Sequence, residues 1–141
     1  MRASDRIRHF VAALPLRPGL RVLEIGCGPG VAARLVAARV VPGMILAIDR
    51  SARAVAQAKA ASVAEIAAGS MMVRHCAVEH FTLDDGETPF DLAFAMRVGA
   101  LDGRHPEIER RALECIRSAL VPGARLFIDG GDPLREIVPL R

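Results

Sequence analysis

Glu24, Gly26, Gly28 and Gly30 fall within one stretch, VLEIGCGPG, from Val22 to Gly30. Glycine at alternate positions lets a chain turn tightly and brings bare backbone close to a ligand. A helix that follows such a turn points its free N–H groups into the same space. A plain strand-to-helix connection needs fewer glycines, so the spacing predicts a ligand cradle. The acid two residues before the first glycine narrows the ligand. The dinucleotide pattern is G-x-G-x-x-G, whereas this chain has G-x-G-x-G. A carboxylate at Glu24 would repel a pyrophosphate and suits a cation. Asp49 closes a second apolar run, Met44 to Ile48, and is placed to accept hydrogen bonds from ribose hydroxyls. A ligand with a ribose at one end and an ammonium group at the other satisfies both acids.

The elements that must position these residues alternate along the chain. Ser4 caps a first helix with Ile7, Phe10, Val11 and Leu14 on one face, broken by Pro15, Pro18 and Gly19. Leu20 to Ile25 reads as a first strand and Val31 to Val40 as a helix stopped by Pro42-Gly43. Met44 to Asp49 is the second strand. Ser51 caps a helix expected to run to Ala68, with Gly69 as its stop. Met71 to His75, Phe90 to Met96 and Ala124 to Asp129 supply three more strands, and Pro106 opens a helix before the last of them. The final dozen residues show no clear element. Apolar strands separated by helices predict an α/β fold, a doubly wound and mainly parallel sheet covered on both faces. Ligands in such folds lie beyond the C-terminal strand ends. A single domain over residues 1–141 is expected.

Composition agrees with that frame. Of 141 residues 52% are hydrophobic and 25% charged, which reads as a soluble globular chain. No apolar run approaches the roughly 20 residues of a membrane span. The N-terminal residues lead into an amphipathic stretch, not a signal-peptide core, so a cytoplasmic location is expected. The net charge of +3 is scattered, mostly on arginine, and gives no strong nucleic-acid signal. Cys27, Cys76 and Cys115 form no close pair, which fits reduced thiols.

Taken together, VLEIGCGPG, AIDRS (Ala47 to Ser51), FDLAFAMRV (Phe90 to Val98) and LVPGARLFID (Leu120 to Asp129) resemble the class I S-adenosylmethionine-dependent methyltransferases, in that family's order. The resemblance implies a Rossmann-like methyltransferase fold, S-adenosyl-L-methionine as cofactor and methyl transfer as the activity. It places the methionine end of the cofactor on Glu24 and on the loop of Gly26, Cys27, Gly28 and Gly30. Asp49 would take the ribose, with Arg50 and Ser51 beside the adenine. Arg97 and Val98 would lie near the methyl group and substrate. The family often has an adenine-binding acid after the third strand. Here Cys76 stands in that place, so the adenine would rest on backbone at Ala77 and Val78, or on Glu79. The family's sheet also continues past its fifth strand. This chain has only twelve residues after Asp129, which predicts a minimal or truncated sheet.

Other chemistry is weaker. His75, Cys76, Glu79 and His80 are possible metal ligands without a second cluster at zinc spacing, so no metal is expected. His105, beside Asp102 and Arg104, falls on the ligand face, where it is either a general base or part of a solvated loop. No catalytic residue is assigned. Motifs for methylating nucleic-acid bases are missing after the fourth strand, which favours a small-molecule acceptor. Two rivals remain: a non-catalytic methyltransferase-like binding or interaction domain, and, less favoured, a nicotinamide-dependent oxidoreductase. An uncovered fifth strand would be an apolar edge. The tail, with Pro133 and Pro139, suits an irregular cover or a homodimer interface, the dimer being slightly favoured. The first helix is expected to pack on the sheet rather than act as a lid.

Overall fold

The computed structural model describes residues 4–138 and residue 140. Six strands form one sheet: β1 (Arg21–Ile25), β2 (Met44–Asp49), β3 (Met71–His75), β4 (Phe90–Ala95), β5 (Leu120–Asp129) and β6 (Leu134–Ile137). Their spatial order is β3-β2-β1-β4-β5-β6. The first five run parallel and β6 is antiparallel to β5. The chain order reverses at β1, which therefore sits at the switch point where such sheets open a crevice.

The alternation of side chains across the strands builds two cores. Val22, Ile45, Ala47, Leu92 and Phe94 point to one face and pack beneath α1 (Asp5–Ala13) and α2 (Val31–Val40). Leu23, Leu46, Ile48, Ala93 and Leu126 point to the other, beneath α5 (Pro106–Ala119), which contributes Ala112 and Ile116. Strands buried on both sides need near-continuous apolar sequence, which is why β1 and β2 read so clearly. The one charged residue within β1 that is fully enclosed, Glu24, shares the parity of Val22 and so faces the α1–α2 side.

α1 begins as its sequence predicts, with the Ser4 hydroxyl accepting from Ile7 N–H at 3.2 Å. Phe10, Val11 and Leu14 are buried, and Phe10 meets Phe94 with ring centroids 5.8 Å apart. This is a packing helix, although its first turn reaches the rim of a cavity described below.

Three expectations are corrected. The helix expected from Ser51 to Ala68 is broken into α3 (Ala52–Ala61) and α4 (Val63–Ala67). At the break Ser62 is fully buried, and its hydroxyl accepts from Arg34 Nη1 at 3.0 Å. The last dozen residues are not without structure. β6 pairs along β5 from Leu126 opposite Ile137 to Asp129 opposite Leu134, so the sheet continues beyond its fifth strand. A paired strand, not an irregular cover, fills the edge, because Pro133 precedes the pairing instead of interrupting it. Arg125 Nη2 and Glu136 Oε1 add a 2.8 Å ion pair across it. Of that tail, Pro139 and Arg141 lie outside the described residues. β5 also starts earlier than expected, at Leu120, with a register shift between its pairings to Phe90 and Leu92. Removing residues 132–141 should bare the β5 edge. The expected result is a lower melting temperature, by roughly 4 °C per kcal/mol lost, and association that grows with concentration in light scattering. An unchanged melting point and a monomer throughout would contradict the role given to β6.

Candidate active site

The glycine turn is held by β2. The N–H groups of Gly26 and Cys27 both donate to the Ile48 carbonyl, at 2.8 and 3.0 Å. Gly26, Gly28 and Gly30 all have positive φ, at 71°, 53° and 86°, a region that favours glycine. Their surroundings differ. A methyl group on Gly26 would meet the Val98 side chain at 2.6 Å, and one on Gly30 would meet Ala58 at 3.3 Å. On Gly28 it would meet nothing within 4 Å. Gly28 thus borders open space, Gly26 touches the wall after β4, and Gly30 lets α2 pack on the core. Gly30 is the N-cap of α2 and supplies no side-chain acceptor, so no capping side chain takes the first N–H groups of that helix.

Asp49 fastens the cradle from the end of β2. Its Oδ2 accepts from Gly28 N–H at 2.9 Å and its Oδ1 from Ser51 N–H at 2.9 Å. A carboxylate has about four acceptor positions, so both oxygens retain capacity. Glu24 lies beneath the turn, 2% exposed, and its Oε1 is buried without a hydrogen-bond partner. Burial, reinforced by the Asp49 charge, pushes its carboxyl up to about 8. The same burial, with Glu24 and Asp49 adding to it, pushes the Cys27 thiol up to about 12. Cys27 is a protonated filler whose Sγ donates to the Gly28 carbonyl at 3.5 Å, not a nucleophile.

Three spaces open at this end of the sheet, two of them bordered by the turn. The first, about 520 Å³, lies between Glu24, the Gly26–Pro29 backbone, Asp49, Arg97 and the start of α1. A narrow slot of about 70 Å³ continues past Gly26 and Asp49 between Arg50, Ala77, Val78 and Val98. A third, about 460 Å³, opens beyond Arg97 over the ends of β4 and β5. The volumes of the first and third suit small-molecule ligands.

Most of the residues singled out from the sequence therefore border the first two spaces: Glu24, Gly26, Cys27, Gly28, Asp49, Arg50, Ala77, Val78, Arg97 and Val98. Gly30 and Ser51 do not line them. Gly30 is buried in the core contact, and Ser51 acts through its backbone on Asp49 and caps α3 at Ala54 N–H. His105 is exposed and precedes α5 without lining these spaces. His75 Nε2 lies 2.9 Å from the Arg50 carbonyl. Arg6 of the first helix also walls the first space, together with Ile7 and Met96, which are not among the residues assigned to the site from the sequence. No local motif marks them, because the start of α1 and the end of β4 meet only in the fold.

Arg97 has a left-handed backbone at φ 55°, uncommon without glycine. It is held there by its N–H, which donates to Asp129 Oδ1 at 3.0 Å. Asp129 Oδ2 accepts from Arg6 Nη2 at 2.6 Å, so one carboxylate ties α1, β5 and the turn after β4 together.

This fold has clear counterparts. The sequence matches the model of a family described as "Methyltransferase domain" over residues 22–123. The chain belongs to that methyltransferase domain family. Among solved structures it is similar to the [4+2]-cyclase SpnF, with 29% identity, a TM-score of 0.71 and coverage of 90% of this chain and 46% of that one. It is also similar to a SAM-dependent methyltransferase from Geobacter sulfurreducens in complex with S-adenosyl-L-homocysteine, at 24% identity, TM-score 0.67, and coverage of 89% and 47%. A SAM-dependent methyltransferase from Thiobacillus denitrificans, also with S-adenosyl-L-homocysteine, gives 22%, 0.67, 89% and 48%. The chain spans less than half the length of each of these structures. No curated protein matches it in sequence. No helix among the described residues is long and apolar enough to cross a membrane.

Proposed function

We propose that this domain binds S-adenosylmethionine and transfers its methyl group to a small-molecule acceptor. The observation that carries the reading is Glu24, a buried carboxyl with an orphaned oxygen beneath a glycine cradle. An enclosed acid without a partner costs stability, and a ligand ammonium group would offset that cost. Gly28 leaves open space where any side chain would intrude. Both features fit the amino-acid end of the cofactor: its ammonium on Glu24 and its carboxylate toward the uncapped start of α2. Asp49 would accept the ribose hydroxyls, and the slot at Arg50, Ala77 and Val78 would take the base.

When bound, the cofactor supplies a methyl group already activated on a sulfonium. The chain then has to hold acceptor and donor in line and keep water away. Arg97 and Val98 stand between the cradle and the third space, and the first turn of α1 closes the side of the cradle. A rigid wall at Arg97, pinned by Asp129, suits that positioning task.

Asp49→Ala tests the ribose assignment. It removes the acceptor for two backbone N–H groups as well as for the ligand. We expect S-adenosylhomocysteine affinity to fall by roughly 1.5–3 kcal/mol for each charged hydrogen bond lost, read by calorimetry. Unchanged affinity in a folded variant would refute the assignment. The activity itself is tested with methyl-labelled cofactor and a panel of phenols, amines and carboxylic acids. Label transfer to an acceptor is expected. Because a similar structure is described as a cyclase, turnover and not fold decides. Cofactor binding with no label transfer across the panel would favour a binding module.

A further inference from the structure

We propose that the third space receives an acceptor bearing an anionic group, a carboxylate or a phosphate, held by Arg97 and Arg135. The inference rests on reading that space as the acceptor side of the methyl-transfer site.

Four arginines line it, Arg6, Arg97, Arg104 and Arg135, against two acidic residues, Asp102 and Asp129. Both carboxylates are already engaged. Asp129 pairs with Arg6 at 2.6 Å, and Asp102 pairs with Arg104 Nε at 2.6 Å. That accounts for two of the four arginines. The guanidinium groups of Arg97 and Arg135 make no hydrogen bond or ion pair among the described residues. Isolated surface arginines are ordinarily solvated. These two face one concave space whose remaining charge is positive, and a cleft concentrates that field on whatever enters it.

Both are also presented by constrained backbone. Arg97 leaves a left-handed turn whose N–H is fixed on Asp129. Arg135 sits on β6 directly opposite Ile128, which itself lines the space. The strand that covers the sheet edge thus also delivers a cation to the site. A planar guanidinium offers paired N–H donors that match a carboxylate or phosphate. An amine acceptor would meet repulsion here, and a neutral one would leave both groups unused.

The test follows the arginine side-chain NMR signals of the full chain at constant ionic strength, titrated with benzoate, phenyl phosphate and benzamide. Titrations are run with and without saturating S-adenosylhomocysteine. One or both anions should shift Arg97 and Arg135, and benzamide should not; which anion binds tighter separates carboxylate from phosphate. Arg135→Gln should weaken anion binding about tenfold or more, and Arg135→Lys should recover part of it. An unchanged melting temperature shows that β6 remains in place, and if it falls, the charge-retaining Lys variant carries the comparison. The proposal is overturned if benzamide binds as well as benzoate. It is also overturned if the anions shift remote arginines such as Arg39 and Arg53 equally, or if the Gln variant binds anions like the parent. Absence of S-adenosylhomocysteine binding would instead overturn the methyl-transfer reading, since the cofactor-free titration still reads the arginine pair.

Discussion

At pH 8 the Glu24→Gln domain is expected to be more stable than its parent and to bind the cofactor far less tightly. The folded carboxyl titrates near 8, against an ordinary value of 4.5. Between those values the native state holds a proton that the unfolded chain has lost. The stabilising effect of this proton is complete below about pH 4.5 and declines as pH rises, until it is gone above about 8. The span corresponds to on the order of 5 kcal/mol. Glutamine has no proton to lose, so the two proteins should melt alike near pH 4.5 and diverge as pH rises. Affinity should move the other way, because an amide cannot pair with an ammonium as a carboxylate does. A drop of roughly 10- to 100-fold is expected. A variant less stable than the parent at pH 8, or one that binds normally, would contradict the assignment of Glu24 as an acid kept for a ligand.

Gly28→Val should abolish cofactor binding while the domain stays folded. Its φ of 53° costs a non-glycine residue about 1–2 kcal/mol, and a branched side chain somewhat more. Beyond its chain neighbours no protein atom lies within 4 Å of the new Cβ, and Gly28 lines the first space, so the side chain is expected to project into the cradle and not the core. Gly30→Ala provides the contrast. Its methyl group would press on Ala58 at 3.3 Å, and the damage should appear first in melting temperature. Circular dichroism melts beside calorimetry separate the two. Normal binding by a folded Gly28→Val protein would remove the cradle argument.

The same glycines show how far a sequence can be read. Their spacing announces a tight turn, and the positive φ at all three matches that expectation. It cannot tell that Gly30 faces Ala58 and Met71, because that depends on which helix lies behind the turn. Val31–Val40 and Met44–Asp49 fall where apolar runs and the Pro42-Gly43 stop place them, since burial leaves a simple local signature. The break at Ser62 carries no such signature. It is stabilised by Arg34, 28 residues earlier. β6 is hidden for a related reason. Leu134-Arg135-Glu136-Ile137 mixes charge with apolar residues after a proline, and its strand character comes from pairing with β5. The arginines around Asp129 are the extreme case: Arg6 reaches it from 123 residues away.

The most direct test of the central claim is a calorimetric titration with S-adenosylhomocysteine in buffers of different ionisation enthalpy, with NAD as the comparison ligand. A neutral Glu24 must ionise to meet the ligand ammonium group. Binding should therefore release roughly one proton per ligand at about pH 6.5, and the release should fade as pH passes about 8. NAD should not bind. Binding of NAD in place of S-adenosylhomocysteine, or S-adenosylhomocysteine binding with no proton released at any pH, would contradict the account.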